Sequence, residues 1–176
     1  MAALFAIACG GDDDGGDDVT AVTDPALDVQ LTSPDLAEGG TFAADLTCDG
    51  ADSSPALSWS GIPANAGSLA LIMDDVSARF THWVAFNIPV NAGGLPAGAP
   101  QGETLANGAT QGTNDFGVTG YGGPCPPAGD THTYRFRLYV LSSPLSAASS
   151  VTGPALLDAM TGVVMGWGEL TALYSR

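Results

Sequence analysis

Two early segments of the chain carry the hydrophobic patterns of β-strands. Residues 68–73 form a short apolar run, which is typical of a strand buried on both faces. Residues 82–88 alternate, so one face of that strand is expected to carry His82, Val84, Phe86 and Ile88. The pattern therefore predicts two strands, the second of which begins with a histidine.

A third segment, residues 134–141, alternates more regularly. The alternation predicts one face with Tyr134, Phe136, Leu138 and Val140, and an opposite face with Arg135, Arg137 and Tyr139. His132 has the same parity as Tyr134. Its ring therefore joins the apolar face if the strand starts that early.

The rest of the domain offers one good helix candidate. Residues 153–160 have Pro154 in the first turn, where proline is tolerated, and the nearby glycines at 162, 166 and 168 weaken a continuation. Residues 89–131 are mostly small, polar or proline, and such a long irregular stretch usually carries a site or is mobile. With 24 glycines and 12 prolines, the chain favours a mainly β fold with a helix near the C-terminus.

The charge of the chain excludes several classes of function. Its 176 residues suit one domain and carry a net charge of −15, with 19 acidic residues against four arginines and no lysine. Nucleic acids and anionic membrane surfaces require basic patches, so neither is expected as a partner. Without lysine the chain cannot build a P-loop, a pyridoxal-phosphate Schiff base or a Ser-x-x-Lys nucleophile.

The N-terminus has features of an export signal. Residues 1–9 are an apolar run ending at Cys9, which resembles a bacterial lipoprotein signal whose cysteine becomes the lipidated N-terminus. Residues 10–26 are rich in Gly and Asp and would form a disordered tether before a folded domain at 27–176. We therefore expect a protein lipid-anchored in the bacterial cell envelope, on the periplasmic side or in the outer membrane. A plain disordered N-terminus and another mode of export are the alternatives.

Two further cysteines, Cys48 and Cys125, lie within the predicted domain. In an exported protein they would lie in an oxidising compartment, where disulfides persist. We expect a Cys48–Cys125 disulfide, and two buried free thiols are the alternative.

The chain has two histidines, and each opens an alternating segment. At a strand end, an imidazole can face a pocket and act as a switchable anion ligand. Asp75, seven residues before His82, would orient that ring and favour its protonated form. From these residues alone, both histidines could instead be satisfied core residues, or His82, His132 and Asp75 could bind zinc.

Several segments then occur in a recognisable order from about residue 30 to 173. They include Thr-Cys-Asp-Gly at 47–50, Ser-Pro-Ala-Leu-Ser-Trp at 54–59, Leu-Ile-Met-Asp-Asp at 71–75, and His-Trp-Val opening 82–89. Asn-Asp-Phe-Gly at 114–117, Tyr-Gly-Gly-Pro-Cys-Pro-Pro at 121–127 and His-Thr-Tyr at 132–134 complete the set. In this order and spacing, the chain resembles the phosphatidylethanolamine-binding proteins, also called Raf kinase inhibitor-like proteins, and in particular their bacterial branch.

The resemblance implies two packed antiparallel sheets with Greek-key connections and a short C-terminal helix. It also implies a small pocket for phosphate or a phosphorylated head group, with neither a cofactor nor a metal ion. The pocket residues that it assigns here are Asp75, His82, Cys125, Pro126, Pro127, His132 and Tyr134. Gly122 and Gly123 would let the backbone approach a ligand closely.

The departures from the family pattern lie near this pocket. The family's Asp-Pro-Asp-x-x-Pro motif reads Asp-Val-Ser-Ala-Arg-Phe at 75–80, and Thr133 replaces the usual arginine. Two prolines and the second carboxylate are therefore missing from the rim. Arg79 could swing over the pocket, or it could remain a solvated loop residue.

These observations favour a non-enzymatic protein that binds a small phosphorylated or other anionic ligand in the cell envelope. Membrane contact is expected only through the lipid anchor. A protein partner is the alternative, for example a protease that the chain inhibits. A third hypothesis is a phosphoester hydrolase that uses His82 and His132 as acid and base.

Overall fold

A computed structural model describes residues 29–176. The predicted signal with Cys9, the tether at 10–26 and the first two residues of the predicted domain lie outside the described residues. The described elements are β1 (Gln30–Thr32), β2 (Gly40–Thr41), a 3-10 helix (Ala44–Leu46), β3 (Leu57–Ser60), β4 (Ser68–Asp75), β5 (Phe80–Ile88), β6 (Gly94–Leu95), β7 (Thr110–Gln111), β8 (Thr131–Leu141), α1 (Gly153–Ala159) and β9 (Val164–Ser175).

The strands form two sheets, as predicted. The smaller has the order β1-β3-β6, and the larger has the order β2-β9-β8-β4-β5-β7. All pairings are antiparallel except the short one between β2 and β9. After β7, at the edge of the large sheet, the chain returns past β5 and β4 so that β8 pairs with β4. Such long returns are typical of Greek-key connections.

Both faces of the large sheet are buried. The face towards the small sheet forms the main core, in which Leu71 of β4 and Leu138 of β8 are fully buried beside Trp59 of β3. The opposite face is covered by α1, whose Leu156 packs with Ile72 of β4. This explains why residues 68–73 read as a continuous apolar run.

The alternation predicted in β8 is confirmed. Tyr134, Phe136, Leu138 and Val140 all lie in the main core. Because β8 begins at Thr131, His132 joins this face at its outer end. The two arginines on the other face bind carboxylates of neighbouring strands, Arg135 to Asp74 and Arg137 to Glu169.

A β-bulge interrupts the alternation in β5. Met73 of β4 lies opposite Trp83. The next residue, Asp74, lies opposite Thr81, so His82 is an extra residue without a partner on β4. The bulge turns the His82 ring to the face of the main core, where it contacts Tyr134.

A second irregularity in β5 precedes Ile88, where Asn87 has a φ of 54°. It returns Ile88 to the main core with Trp83, whereas Val84 and Phe86 face α1. The prediction that His82 and Ile88 share a face with Val84 and Phe86 is therefore wrong. Each inserted residue reverses the two-residue period of the strand.

The helix expected near the C-terminus is confirmed as α1, but the long strand β9 that follows it was not predicted. In the sequence, the glycines at 162, 166 and 168 indicate only that the helix does not continue. A Cβ atom at Gly168 would lie 2.3 Å from the carbonyl oxygen of Val29. Gly168 therefore allows another chain segment to approach β9 closely, and the strand continues through it.

We expect Leu138→Ala to lower the free energy of unfolding by about 2–5 kcal/mol, because it leaves a cavity at a fully buried position. Leu173→Ala is the matched control, since Leu173 lies on the neighbouring strand and is 37% exposed. The control should cost less than about 1 kcal/mol. Urea denaturation measures both, and equal losses would contradict this description of the core.

Candidate functional site

A small cavity lies at one end of the large sheet, where β4 ends and where β5 and β8 begin. Its volume is about 190 Å³, and it is lined by Asp75, Ala78, Phe80, His82, Phe116, Cys125, Pro126, Pro127, His132 and Tyr134. The structure thus brings together all of the residues that the resemblance assigned to a ligand pocket. The cavity is set into the edge of the main core.

Asp75 organises the floor of the cavity from a buried position at the end of β4. Its Oδ1 accepts hydrogen bonds from the backbone N–H groups of Ser77 and Ala78, at 2.8 and 3.0 Å. Its Oδ2 lies 2.6 Å from Nδ1 of His132. Because a carboxylate accepts, Nδ1 of His132 carries the proton, and Nε2 remains for a ligand.

The sequence prediction had paired Asp75 with His82, and this is wrong. Nδ1 of His82 instead donates to the carbonyl oxygen of Gly122 at 2.7 Å. His82 is 3% exposed, and burial lowers its pKa below the ordinary value of 6.5. The hydrogen bond to Gly122 and the charge of Asp75 oppose this effect without overcoming it. His82 is therefore held as a neutral ring with Nε2 unprotonated.

The hydroxyl group of Tyr134 is buried and has no hydrogen-bond partner among the described residues. Tyr134 lies opposite Asp75 in the sheet. Burial raises its pKa, and the nearby carboxylate of Asp75 raises it further, although the geometry between the two groups does not satisfy the hydroxyl. The hydroxyl therefore keeps its proton and is an unused donor at the cavity.

A loop carrying Cys125, Pro126 and Pro127 closes one side of the cavity. A disulfide joins Cys125 to Cys48, with Cα atoms 5.5 Å apart. The backbone N–H of Cys48 also donates to the carbonyl oxygen of Pro124, at 3.2 Å. These links attach the loop to the segment around the 3-10 helix, so the cavity wall is fixed from outside the sheet.

Gly122 and Gly123 pack closely against other parts of the protein, and they also line a separate cavity of about 280 Å³ beside the first. A Cβ atom at Gly123 would lie 2.4 Å from the carbonyl oxygen of Leu46 and 2.5 Å from Oδ1 of Asp52. The backbone N–H of Gly123 donates to that Asp52 oxygen at 2.6 Å. The glycines thus allow close packing that holds Gly122 in place for its bond to His82.

Sequence reasoning missed the aromatic rim formed by Phe80 and Phe116. Their ring centroids are 4.6 Å apart, and each ring lies close to His82, at 5.1 and 5.3 Å. Oδ1 of Asn114 accepts from the N–H groups of Phe116 and Val118, and this turn presents Phe116 to the cavity. The matched segment 114–117 was the available signal for Phe116. Phe80 stands where the family motif has a proline, so the sequence gave no signal for its place at the cavity.

Arg79 does not reach over this cavity. It is exposed and lines a different cavity on the opposite face of the large sheet. Between residues 29 and 176, no group of three or more His, Cys, Asp or Glu side chains could hold a metal ion. Within the same part of the chain, no helix has the length and hydrophobicity needed to cross a membrane.

Comparison with known proteins agrees with this architecture. The sequence profile of the phosphatidylethanolamine-binding proteins matches residues 32–175. The chain belongs to this family. A similar protein from Methanothermobacter thermautotrophicus, the UPF0098 protein, is 46% identical over 140 residues, which are 78% of this chain and 92% of that protein.

Two further relatives come from bacteria. The crystal structure of Escherichia coli YbcL, described as a member of the mammalian family, aligns with a TM-score of 0.78 at 30% identity, covering 84% of this chain and 98% of that one. LppC of Mycobacterium tuberculosis, named as a candidate lipoprotein, is 35% identical over 161 residues, which are 89% of this chain and 77% of LppC.

The lowered pKa of His82 predicts a pH-dependent stability. As the pH falls through about 6.5, the unfolded chain protonates this imidazole before the folded chain does, so the free energy of unfolding falls until the lowered pKa of the folded state is reached. His82→Asn keeps a side-chain N–H for the carbonyl oxygen of Gly122 but cannot titrate. Urea denaturation between about pH 7 and 5 should therefore show a shallower fall in this variant. Equal slopes would contradict the assignment of a buried neutral His82.

Proposed function

We propose that the chain is a non-enzymatic binding protein for a small anion, phosphate or a phosphorylated head group, held at the 190 Å³ cavity. The observation that carries this proposal is the buried hydroxyl of Tyr134, which has no partner among the described residues. An unsatisfied buried donor is costly, and an anionic oxygen would satisfy it.

The neighbouring groups suit the same ligand. In both histidines Nδ1 donates a hydrogen bond within the protein, so Nε2 of His132 and Nε2 of His82 are available to a ligand. A protonated imidazole donates from both nitrogens, whereas a neutral Nε2 can accept from a ligand hydroxyl, such as that of a hydrogen phosphate. Aromatic rings at the rim lower the local dielectric, which strengthens these hydrogen bonds.

The small volume of the cavity supports a head group as the bound part. Sites for drug-sized ligands are typically about 300–1,000 Å³. A phosphate with a short substituent fits the available space better than a large cofactor does. Any larger portion of the ligand would extend past Phe80 and Phe116 into solvent.

The lining of the cavity also supports binding without turnover. Its residues include no serine, threonine or lysine, and its one cysteine, Cys125, is held in the disulfide. Of the other side chains that can act as covalent nucleophiles, Asp75 and Nδ1 of each histidine are engaged in hydrogen bonds, and the hydroxyl of Tyr134 keeps its proton. The Asp75–His132 pair therefore serves in this proposal to orient a ligand-binding ring.

We place the protein in the bacterial cell envelope, anchored through Cys9. The support consists of the lipoprotein-like pattern at residues 1–9, the similarity to LppC, and a disulfide of the kind found in exported proteins. Periplasmic and outer-membrane positions are both compatible with this proposal.

A protein partner is the second candidate function, and one observation favours it. Phe116 and Val118 are 49% and 45% exposed on the turn beside the cavity. An apolar pair of this kind could contact a partner such as a protease. If phosphate and phosphoethanolamine do not bind, this surface becomes the stronger candidate.

Tyr134→Phe should weaken the binding of phosphate and phosphoethanolamine by about 10- to 100-fold, because a hydrogen bond to a charged group contributes about 1.5–3 kcal/mol. Stability should stay within about 0.5 kcal/mol of the wild type, since the lost hydroxyl has no partner in the free protein. Calorimetric titration and urea denaturation measure the two effects.

Tyr174→Phe is the matched control. Tyr174 pairs with His132 in the sheet, but its hydroxyl donates to Asp49 at 2.7 Å. This variant should lose about 1 kcal/mol of stability and bind the anions like the wild type. Full affinity in Tyr134→Phe would exclude the proposed role of the hydroxyl.

Anion affinity should rise as the pH falls from about 8 to 5.5, because protonated imidazoles add charge and a second donor. Sulfate is the suitable probe, since its own charge stays constant over this range. Because burial lowers the pKa of His82, its share of the rise should come below about pH 6.5 and should be absent in His82→Asn. Sulfate titrations that give one affinity at every pH would rule out imidazole recognition.

A further inference from the structure

The large sheet carries a second and larger cavity on the face covered by α1. Its volume is about 490 Å³, and its lining comes from β4, the β4–β5 turn, β5, β8 and α1. The lining residues used below are Ile72, Asp74, Val76, Arg79, Phe80, Arg135, Pro154 and Leu157. The volume lies within the range of small-molecule sites.

The two cavities share one hairpin. Asp75 and Ala78 line the smaller cavity, whereas their neighbours Asp74 and Arg79 line the larger one. Phe80 contributes to both. Successive residues of a strand face opposite sides of a sheet, so the hairpin serves two separate cavities with alternate side chains.

The charge around the larger cavity differs from that of the whole chain. Arg135 is neutralised by Asp74 through two hydrogen bonds, at 2.8 and 3.2 Å. Arg79 has no carboxylate partner among the described residues. One uncompensated positive charge therefore faces this cavity in a chain whose net charge is −15.

The backbone of Arg79 supports a role for this residue. Its φ is 55°, in the left-handed region that disfavours most side chains. Glycine or asparagine would occupy this turn position more easily. Strained positions of this kind cluster at functional sites, although Asp52 and Asn87 of this chain share the conformation.

The remainder of the lining is largely apolar. Ile72 and Val76 line it from the sheet side, and Pro154 and Leu157 line it from α1. An apolar cleft with one free guanidinium is suited to a ligand that has a single anionic group and a hydrocarbon tail.

We propose that this cavity is a second binding site, distinct from the small-anion site, which takes an amphiphilic monoanion such as a carboxylate with a short alkyl chain. Arg79 binds the carboxylate through its guanidinium, and Ile72, Val76, Pro154 and Leu157 contact the alkyl chain. This inference does not depend on the proposed function of the smaller cavity.

The test is an NMR titration of the full chain with octanoate, with inorganic phosphate as the probe for the smaller cavity. Octanoate should shift the amide signals of Arg79, Arg135 and Leu157 and leave those of Gly122 and His132 unshifted. Octan-1-ol, which has the same tail without the charge, should bind at least tenfold more weakly.

Arg79→Asn should weaken octanoate binding at least tenfold without loss of folding, because asparagine tolerates a φ of 55°. Arg176→Asn removes the same charge from a residue paired with Asp49 and should leave octanoate binding unchanged. Leu157→Trp, which fills the cleft, should also abolish binding.

Three results would overturn the proposal. The first is the absence of shifts around Arg79 with octanoate, and the second is equal affinity for octanoate and octan-1-ol. The third is wild-type affinity in Arg79→Asn. None of these results would affect phosphate binding at the smaller cavity, so failure here is distinguishable from failure of the proposed function.

Discussion

The pairing of β4 with β8 is the constraint on which both cavities depend. Asp75 lies opposite Tyr134, and Asp74 lies opposite Arg135. A slip of one residue in β4 would exchange the faces of the two aspartates. Such a slip is prevented because both faces of the strand are buried, Leu71 and Met73 against the small sheet and Ile72 against α1.

The geometry of the smaller cavity follows from how its polar groups are satisfied. Asp75 uses both oxygens within the protein, two backbone N–H groups on one and His132 on the other. The carboxylate therefore acts mainly by fixing an imidazole. What remains available to a ligand is one ring nitrogen from each histidine and the hydroxyl of Tyr134.

A strongly acidic protein can still offer sites for anions, because short-range donors act where the long-range field is screened. Charges more than about 8–10 Å apart interact weakly at physiological salt. Inside a cavity, a hydrogen bond to an anion is stronger than in water. For an anion at the smaller cavity, the proposed contacts are therefore short-range ones, with the Tyr134 hydroxyl as donor and with the imidazoles as donors once they are protonated.

The mainly β class and the alternation of β8 follow from the local periodicity of the sequence, and the resemblance to the family assigned the polar residues of the smaller cavity but not its aromatic rim. The sequence could not determine that Asp75 binds His132 and that Gly122 binds His82, since these contacts join segments far apart in the chain. The inserted residue at His82 and the continuation of β9 through Gly168 were equally hidden. They became visible only in the folded protein, because a bulge or a close backbone contact depends on the partner strand and leaves no periodic signal in the strand that carries it.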